Sequence, residues 1–76
     1  MTREEMEKSQ MVIELGDYFN RYGLYNVFRM MYMTDSLTTE TVIIFFKDGS
    51  NKSVNVHRDS KPTMLEDILK SLKVTK

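Results

Sequence analysis

The chain has 76 residues, eleven basic and eleven acidic, and it contains no cysteine and a single histidine. This length allows one small domain, 1–76, and the missing cysteines exclude disulfides and cysteine-based metal sites. The balanced charge argues against a dedicated DNA-binding protein, which usually carries a strong basic excess.

The first predicted element is an amphipathic helix over residues 2–22. Thr2 and Glu5 have the spacing of a capping box, and Gly23 has the position of a left-handed C-cap. The apolar side of this helix repeats every three to four residues and consists of Met11, Val12, Leu15, Tyr18, Phe19 and Tyr22. Lys8 and most of the charged residues fall on the other side, which we expect to face water.

Three predicted strands follow, over residues 24–33, 39–47 and 52–58. The first two are rich in β-branched or aromatic residues, and in the third Val54 and Val56 alternate with polar residues. Turn residues at 34–36 and 48–49 separate them, and such short connections predict an antiparallel meander with the second strand at the centre. A second helix is predicted from Thr63, which forms another capping-box pair with Glu66. The predicted fold class is therefore α+β, in the order α-β-β-β-α.

Both faces of the predicted sheet are apolar. The second strand places Ile43 and Phe45 on one face and Val42, Ile44 and Phe46 on the other. Small antiparallel sheets usually expose one polar face to water. Because both faces are apolar here, each must pack against a helix or another chain. Either one helix covers each face of a closed monomer, or both helices share one face and the other contacts a second chain.

A contact between chains is expected on the face of the first strand that carries Arg29, because a cation can reach the rim of an interface but is costly in a sealed core. The predicted interface residues are Tyr25, Val27, Met31, Met33 and Ile44. Phe28, Met30 and Tyr32 are expected to pack under the helices. The predicted function is a non-catalytic protein-binding module that forms a homodimer or binds a partner protein through this face.

Nucleic-acid binding is the alternative function. The sheet contains aromatic residues on which bases can stack, and cations near the second hairpin and after the third strand can hold phosphates. The candidate contacts are Lys47, Lys52, Arg58 and Lys61. A binding constant that falls steeply with salt would distinguish this function from protein binding.

Catalysis is not expected. His57 is followed too closely by Asp59 and Ser60 to form an evident triad, and three isolated glycines form no phosphate-binding loop. The sequence therefore predicts no enzyme, no cofactor and no metal site.

The expected location is the cytoplasm. The longest apolar run, residues 42–46, is far shorter than the roughly 20 residues of a membrane helix, and no apolar segment of a signal peptide follows the N-terminus. In size and composition the chain resembles the small accessory proteins of phages and mobile elements, some of which inhibit host enzymes by binding them. That resemblance implies an accessory or inhibitor role and, having no motif, assigns no residue.

Overall fold

The computed structural model of the chain describes residues 2–35 and 39–74. The elements are α1 (Arg3–Arg21), β1 (Val27–Thr34), β2 (Glu40–Phe46), β3 (Asn51–Asn55) and α2 (Lys61–Val74). The three strands form one antiparallel sheet in the order β1-β2-β3. The predicted α+β fold with β2 at the centre is confirmed, and Ser36 of the predicted first turn lies outside the described residues.

Local sequence signals define both ends of α1, as predicted. The Glu5 N–H donates to Thr2 Oγ1 at 3.1 Å and the Thr2 N–H donates to Glu5 Oε1 at 2.8 Å, which completes the capping box. At the other end Gly23 has φ +67° and the Leu24 N–H donates to the Phe19 carbonyl at 2.9 Å. This is the Schellman arrangement, in which a residue without Cβ takes the left-handed position.

The second helix begins two residues before its predicted start. Its first residue is Lys61, and Pro62 lies in the first turn, where the missing N–H costs no intrahelical hydrogen bond. The Met64 N–H donates to the Ser60 carbonyl at 2.8 Å. The start at Thr63 was wrong because a proline is compatible with the first turn of a helix.

Both helices cover the same face of the sheet, which we call the inner face. From α1, Gly16 lies against Met30 of β1; from β3, Lys52 donates to the carbonyl of Ser71 in α2 at 3.0 Å, and Lys52 pairs with Ile44 on the same face. One cluster of buried apolar side chains joins the sheet to both helices: Val12, Phe19, Val27, Met30, Tyr32, Val42, Ile44, Val54, Val56, Met64, Ile68 and Leu72. The chain therefore adopts the second of the two predicted arrangements, in which both helices pack on one face of the sheet.

A β-bulge reverses the predicted directions of two residues at the start of β1. Val27 pairs with Phe46 and Arg29 pairs with Phe45, so Phe28 is an extra residue between two pairs. Val27 is fully buried, whereas Phe28 is 52% exposed. The expectations that Val27 points away from the helices and that Phe28 packs under them were wrong, because strict alternation does not anticipate an inserted residue.

The strand β1 also begins three residues later than predicted. Tyr25 and Asn26 have φ values of 55° and 59°, and the Val27 N–H donates to the Leu24 carbonyl at 3.1 Å. Two consecutive positive φ values with this hydrogen bond are typical of a type I′ turn. Tyr25 therefore belongs to a turn rather than to the sheet, and its ring lies 5.9 Å from that of Phe19.

Candidate functional site

The face of the sheet opposite the helices, which we call the outer face, is the candidate functional site. Beside the exposed bulge residue Phe28, its paired residues are Arg29, Met31 and Met33 from β1, Thr41, Ile43 and Phe45 from β2, and Asn51, Ser53 and Asn55 from β3. Met31 and Met33 are 39% and 49% exposed, and Ile43 and Phe45 are half-buried. One of these nine residues is charged, although charged residues make up 29% of the chain. A face adapted to water would carry more charges.

The strand register gathers the large side chains of the outer face into one patch. Met31 is opposite Ile43 and Arg29 is opposite Phe45, so the four side chains adjoin across β1 and β2. The guanidinium carbon of Arg29 lies 4.9 Å from the centre of the Phe45 ring, in cation–π contact. The single cation of the face is therefore held over an aromatic ring, and the polar residues of β3 form the other side of the patch.

A recess adjoins this patch at the end of the sheet near the first hairpin. It is lined by Met33, Thr34, Asp35, Thr39, Thr41 and Ile43. Met33 and Ile43 belong to the apolar patch, and the other lining residues add hydroxyl and carboxylate groups. The outer face thus combines a flat apolar centre with a depression that a protruding side chain of another protein can enter.

The five predicted interface residues do not lie on one surface. Met31 and Met33 are on the outer face, whereas Val27 and Ile44 are fully buried on the inner face and Tyr25 lies in the preceding turn. The placement of Ile44 on the uncovered face was wrong, because its pairing with Met30 directs it under α1.

Two outer-face residues, Ile43 and Phe45, were not among the predicted contacts. Both lie beside the predicted methionines, in register with Met31 and Arg29. Their alternation with Val42 and Ile44 is visible in the sequence. Which of the two alternating sets faces outward follows only from the strand register.

The four cations proposed for nucleic-acid contact are not brought together. Lys47 follows β2 in the second hairpin, whereas Arg58 and Lys61 follow the opposite end of β3. Lys52 lies on the inner face and donates to a carbonyl near the end of α2 at 3.0 Å, and Lys61 is paired with Glu7 of α1. This arrangement provides no single basic surface, so it does not favour nucleic-acid binding.

A second feature, absent from the sequence interpretation, is a polar cluster centred on Glu40 at the start of β2. Its Oε1 atom accepts hydrogen bonds from Lys8 Nζ at 2.8 Å and from the Tyr32 hydroxyl at 2.7 Å, and its Oε2 atom accepts one from the Arg58 N–H at 3.1 Å. Lys8 is 4% exposed. Its placement on the water-facing side of α1 was wrong, since its stem packs toward the sheet and its amine meets a carboxylate there.

The polar cluster shifts the pKa values of two of its members. Burial by itself would raise the pKa of Glu40, but hydrogen bonds from Lys8, Tyr32 and the Arg58 N–H outweigh it and hold the pKa at about 2. Burial and the adjacent Glu40 carboxylate raise the pKa of Tyr32. Glu40 is therefore ionised and Tyr32 neutral at pH 7, an ion pair with a supporting hydroxyl rather than an acid–base pair near neutrality.

We expect the contribution of Glu40 to stability to disappear in acid. Its pKa of about 2 in the folded chain lies below the ordinary 4.5, so the contribution is complete above pH 4.5 and is lost as the pH falls through about 2. Urea unfolding of the wild type and of Glu40→Gln at pH 5, 4, 3 and 2 measures it. The difference in unfolding free energy between the two should shrink as the pH falls; a constant difference would contradict this account.

Two further observations concern the described residues as a whole. No group of three or more His, Cys, Asp or Glu side chains among residues 2–35 and 39–74 is arranged to hold a metal ion. Within the same ranges, no helix has both the length and the apolar character needed to cross a membrane. Comparisons of the chain with protein-family models, with curated proteins and with solved structures find no match, so its own surfaces carry the functional argument.

Proposed function

We propose that the protein is a small, non-catalytic protein-binding module that associates through the outer face of its sheet, in the first place with a second copy of itself. The observation that carries the proposal is the composition of that face. Both helices lie on the inner side, and the outer side presents exposed methionines beside Ile43 and Phe45 with one charged residue. Methionine side chains adapt their shape to a partner and are frequent at protein-binding surfaces.

The driving force is the removal of apolar surface from water. Exposed apolar patches of a few hundred Å² mark interaction sites on small proteins, and each Å² buried contributes roughly 25 cal/mol. Two such sheets can stack about 10 Å apart, with their side chains interdigitated as in a β-sandwich. The Thr, Ser and Asn residues around the patch then form the polar rim that protein interfaces usually have.

A second copy suits this surface because the outer face offers almost no charge to select a charged partner. The chain as a whole has a formal net charge of zero, so two copies do not repel each other. The same face can instead cover an apolar surface of a target protein in the cytoplasm. Binding of a target protein would correspond to the accessory or inhibitor role, with the target in the place of the second copy on the outer face.

Met31→Asp should separate self-association from folding. A carboxylate in the centre of the stacked sheets would lose its hydration without gaining a partner, so we expect the dimer dissociation constant to rise at least about 100-fold. The monomer should stay folded, because Met31 points away from the core. Sedimentation velocity across a concentration range, together with far-ultraviolet circular dichroism, measures both quantities.

Two matched variants complete this experiment. Asn55→Asp adds the same charge at the polar corner of the outer face and keeps the side-chain acceptor for the His57 N–H, so it should change the dissociation constant little. Ile44→Asp places the charge in the core and should unfold the chain, since Ile44 is fully buried. A wild-type chain that remains monomeric at several hundred micromolar would contradict self-association, and an effect of Met31→Asp as small as that of Asn55→Asp would remove the outer-face centre from the interface.

A further inference from the structure

In the sequence of β2 each residue from 41 to 46 has an adjacent residue of similar shape, an arrangement that we call the near-repeat. Thr41 and Val42, Ile43 and Ile44, and Phe45 and Phe46 form three consecutive pairs of similar shape. Alternate members face opposite sides of the sheet, so the inner face receives Val42, Ile44 and Phe46, and the outer face receives Thr41, Ile43 and Phe45. Each side chain directed toward the core has a neighbour of the same size directed away from it.

This near-repeat makes two strand pairings almost equal in core packing. A shift of β2 by one residue exchanges its faces, and it would bring Thr41, Ile43 and Phe45 to the places now held by Val42, Ile44 and Phe46. Isoleucine would replace isoleucine and phenylalanine would replace phenylalanine. The remaining difference is Thr41 in place of Val42, which buries one hydroxyl in a site of nearly unchanged shape.

The connections do not prevent such a shift. Moving β2 by one residue transfers one residue from the connection before it to the connection after it. The shift breaks hydrogen bonds of these surface connections, such as the one from the Phe46 N–H to the Ser50 carbonyl and those between Asp35 and Thr39, but exposed backbone groups can bond to water instead. The contacts between α1 and β1, such as the close approach of Gly16 to Met30, involve neither face of β2. Apolar packing and chain connectivity therefore discriminate weakly between the two pairings.

The polar cluster, in contrast, strongly favours the observed pairing over the shifted one. In the shifted pairing Thr39 would take the place of Glu40, and Glu40 would move to the outer face. Lys8, 4% exposed, would then keep its charge in a buried position without the carboxylate that now lies 2.8 Å from its Nζ. The Tyr32 hydroxyl and the Arg58 N–H would lose the same acceptor. An unpaired buried charge is among the most costly defects of a folded protein.

We infer that the polar cluster around Glu40 selects which face of β2 is turned toward the core, and that β2 has a second, face-exchanged pairing which the cluster excludes from the native state. Buried polar groups are known to specify register in this way in coiled coils. In the excluded pairing the outer face would present Glu40, Val42, Ile44 and Phe46. The cluster thereby also determines which apolar set is available to a partner.

Thiol labelling tests the inference directly, because the chain contains no other cysteine. Ile43→Cys and Ile44→Cys place a single thiol on the outer and on the inner face of β2. At concentrations far below the dimer dissociation constant, where the outer face is uncovered, the first should react readily with a maleimide and the second should be protected. In the Lys8→Met/Glu40→Thr background both pairings become accessible, and we expect the two labelling rates to come within about tenfold of each other.

A second background keeps the experiment decisive if loss of the cluster unfolds the chain. The double variant Thr41→Val/Val42→Thr retains Lys8 and Glu40. It exchanges valine and threonine, so that apolar packing alone slightly favours the shifted pairing. The inference predicts that Ile44→Cys stays protected in this background, because the cluster and not the apolar set selects the face.

Two results would overturn the inference. One is loss of protection at position 44 in the Thr41→Val/Val42→Thr background while circular dichroism shows a folded chain. The other is a folded Lys8→Met/Glu40→Thr variant that keeps the wild-type difference between the two labelling rates. Glu7→Gln with Lys61→Met removes an exposed ion pair between the two helices and serves as the control, for which the labelling rates should not change.

Discussion

Replacing Glu40 by alanine is expected to lower the free energy of unfolding by about 3–5 kcal/mol, the cost of removing one partner from a buried ion pair. Lys8 would remain buried with its charge unpaired, and the Tyr32 hydroxyl would lose its acceptor at 2.7 Å. The core of so small a domain rarely supplies more than roughly 3–5 kcal/mol. We therefore expect Glu40→Ala to be largely unfolded at 25 °C.

A double-mutant cycle with Lys8→Met measures this coupling, with the urea titrations run in an osmolyte such as TMAO so that Glu40→Ala keeps a folded baseline. Lys8→Met/Glu40→Ala should be more stable than Glu40→Ala alone, because the methionine removes the charge and keeps most of the apolar stem. Glu7→Ala is the comparison for an exposed carboxylate, since Glu7 pairs with Arg3 and Lys61 at the surface. Ion pairs this exposed contribute little to stability, because water and salt screen them. If Glu40→Ala costs no more than Glu7→Ala, the buried ion pair does not stabilise the fold.

The second large effect is expected from Gly16→Ala in the middle of α1. Alanine favours a helix over glycine by up to about 1 kcal/mol, so helix propensity alone predicts a gain in stability. In the structure a Cβ atom at this position would lie 2.6 Å from the backbone nitrogen of Met30 and 3.2 Å from the carbonyl carbon of Arg29. Because backbone atoms cannot turn aside, α1 would have to move away from β1. We expect a net loss of about 1–3 kcal/mol.

Chemical denaturation of Gly16→Ala beside Gln10→Ala checks this expectation. Gln10 is exposed on the same helix, so its replacement reports the effect of alanine on the helix without a contact to the sheet, apart from the loss of the surface hydrogen bond that its amide donates to Glu14 at 2.9 Å. Amide hydrogen exchange should also accelerate at Met30 in the Gly16 variant, since that nitrogen lies under the helix. A stabilised Gly16→Ala chain would show that the close approach of α1 to β1 can relax at no cost.

The capping signals of α1 and the order of the elements could be predicted from sequence because they depend on neighbours in the chain. Thr2 and Glu5 are three residues apart, and Gly23 needs only its own backbone to adopt a positive φ. The second helix is less predictable from neighbouring residues, because Pro62 can either precede a helix or lie in its first turn.

The candidate site was predictable in part. That both faces of the sheet are apolar is a property of residues 42–46. The outward direction of Met31 and Met33 follows from alternation along β1 together with the charged Arg29 on the same face. The bulge at Phe28 lay beyond this reasoning, because an inserted residue depends on how β1 pairs with β2. Ile44 was misplaced for the same reason, since either face of β2 satisfies the apolar pattern.

The sequence by itself determined the elements, their order and a sheet with two apolar faces, because periodicity, capping and turn residues act over a few neighbouring positions. Only the tertiary structure decided that both helices share one face and that Ile43 rather than Ile44 points outward. It also decided that Lys8 is buried against Glu40, 32 positions further along the chain. An apolar pattern in the sequence indicates which residues must be removed from water. Which helix or strand packs against them depends on contacts between residues far apart in the chain.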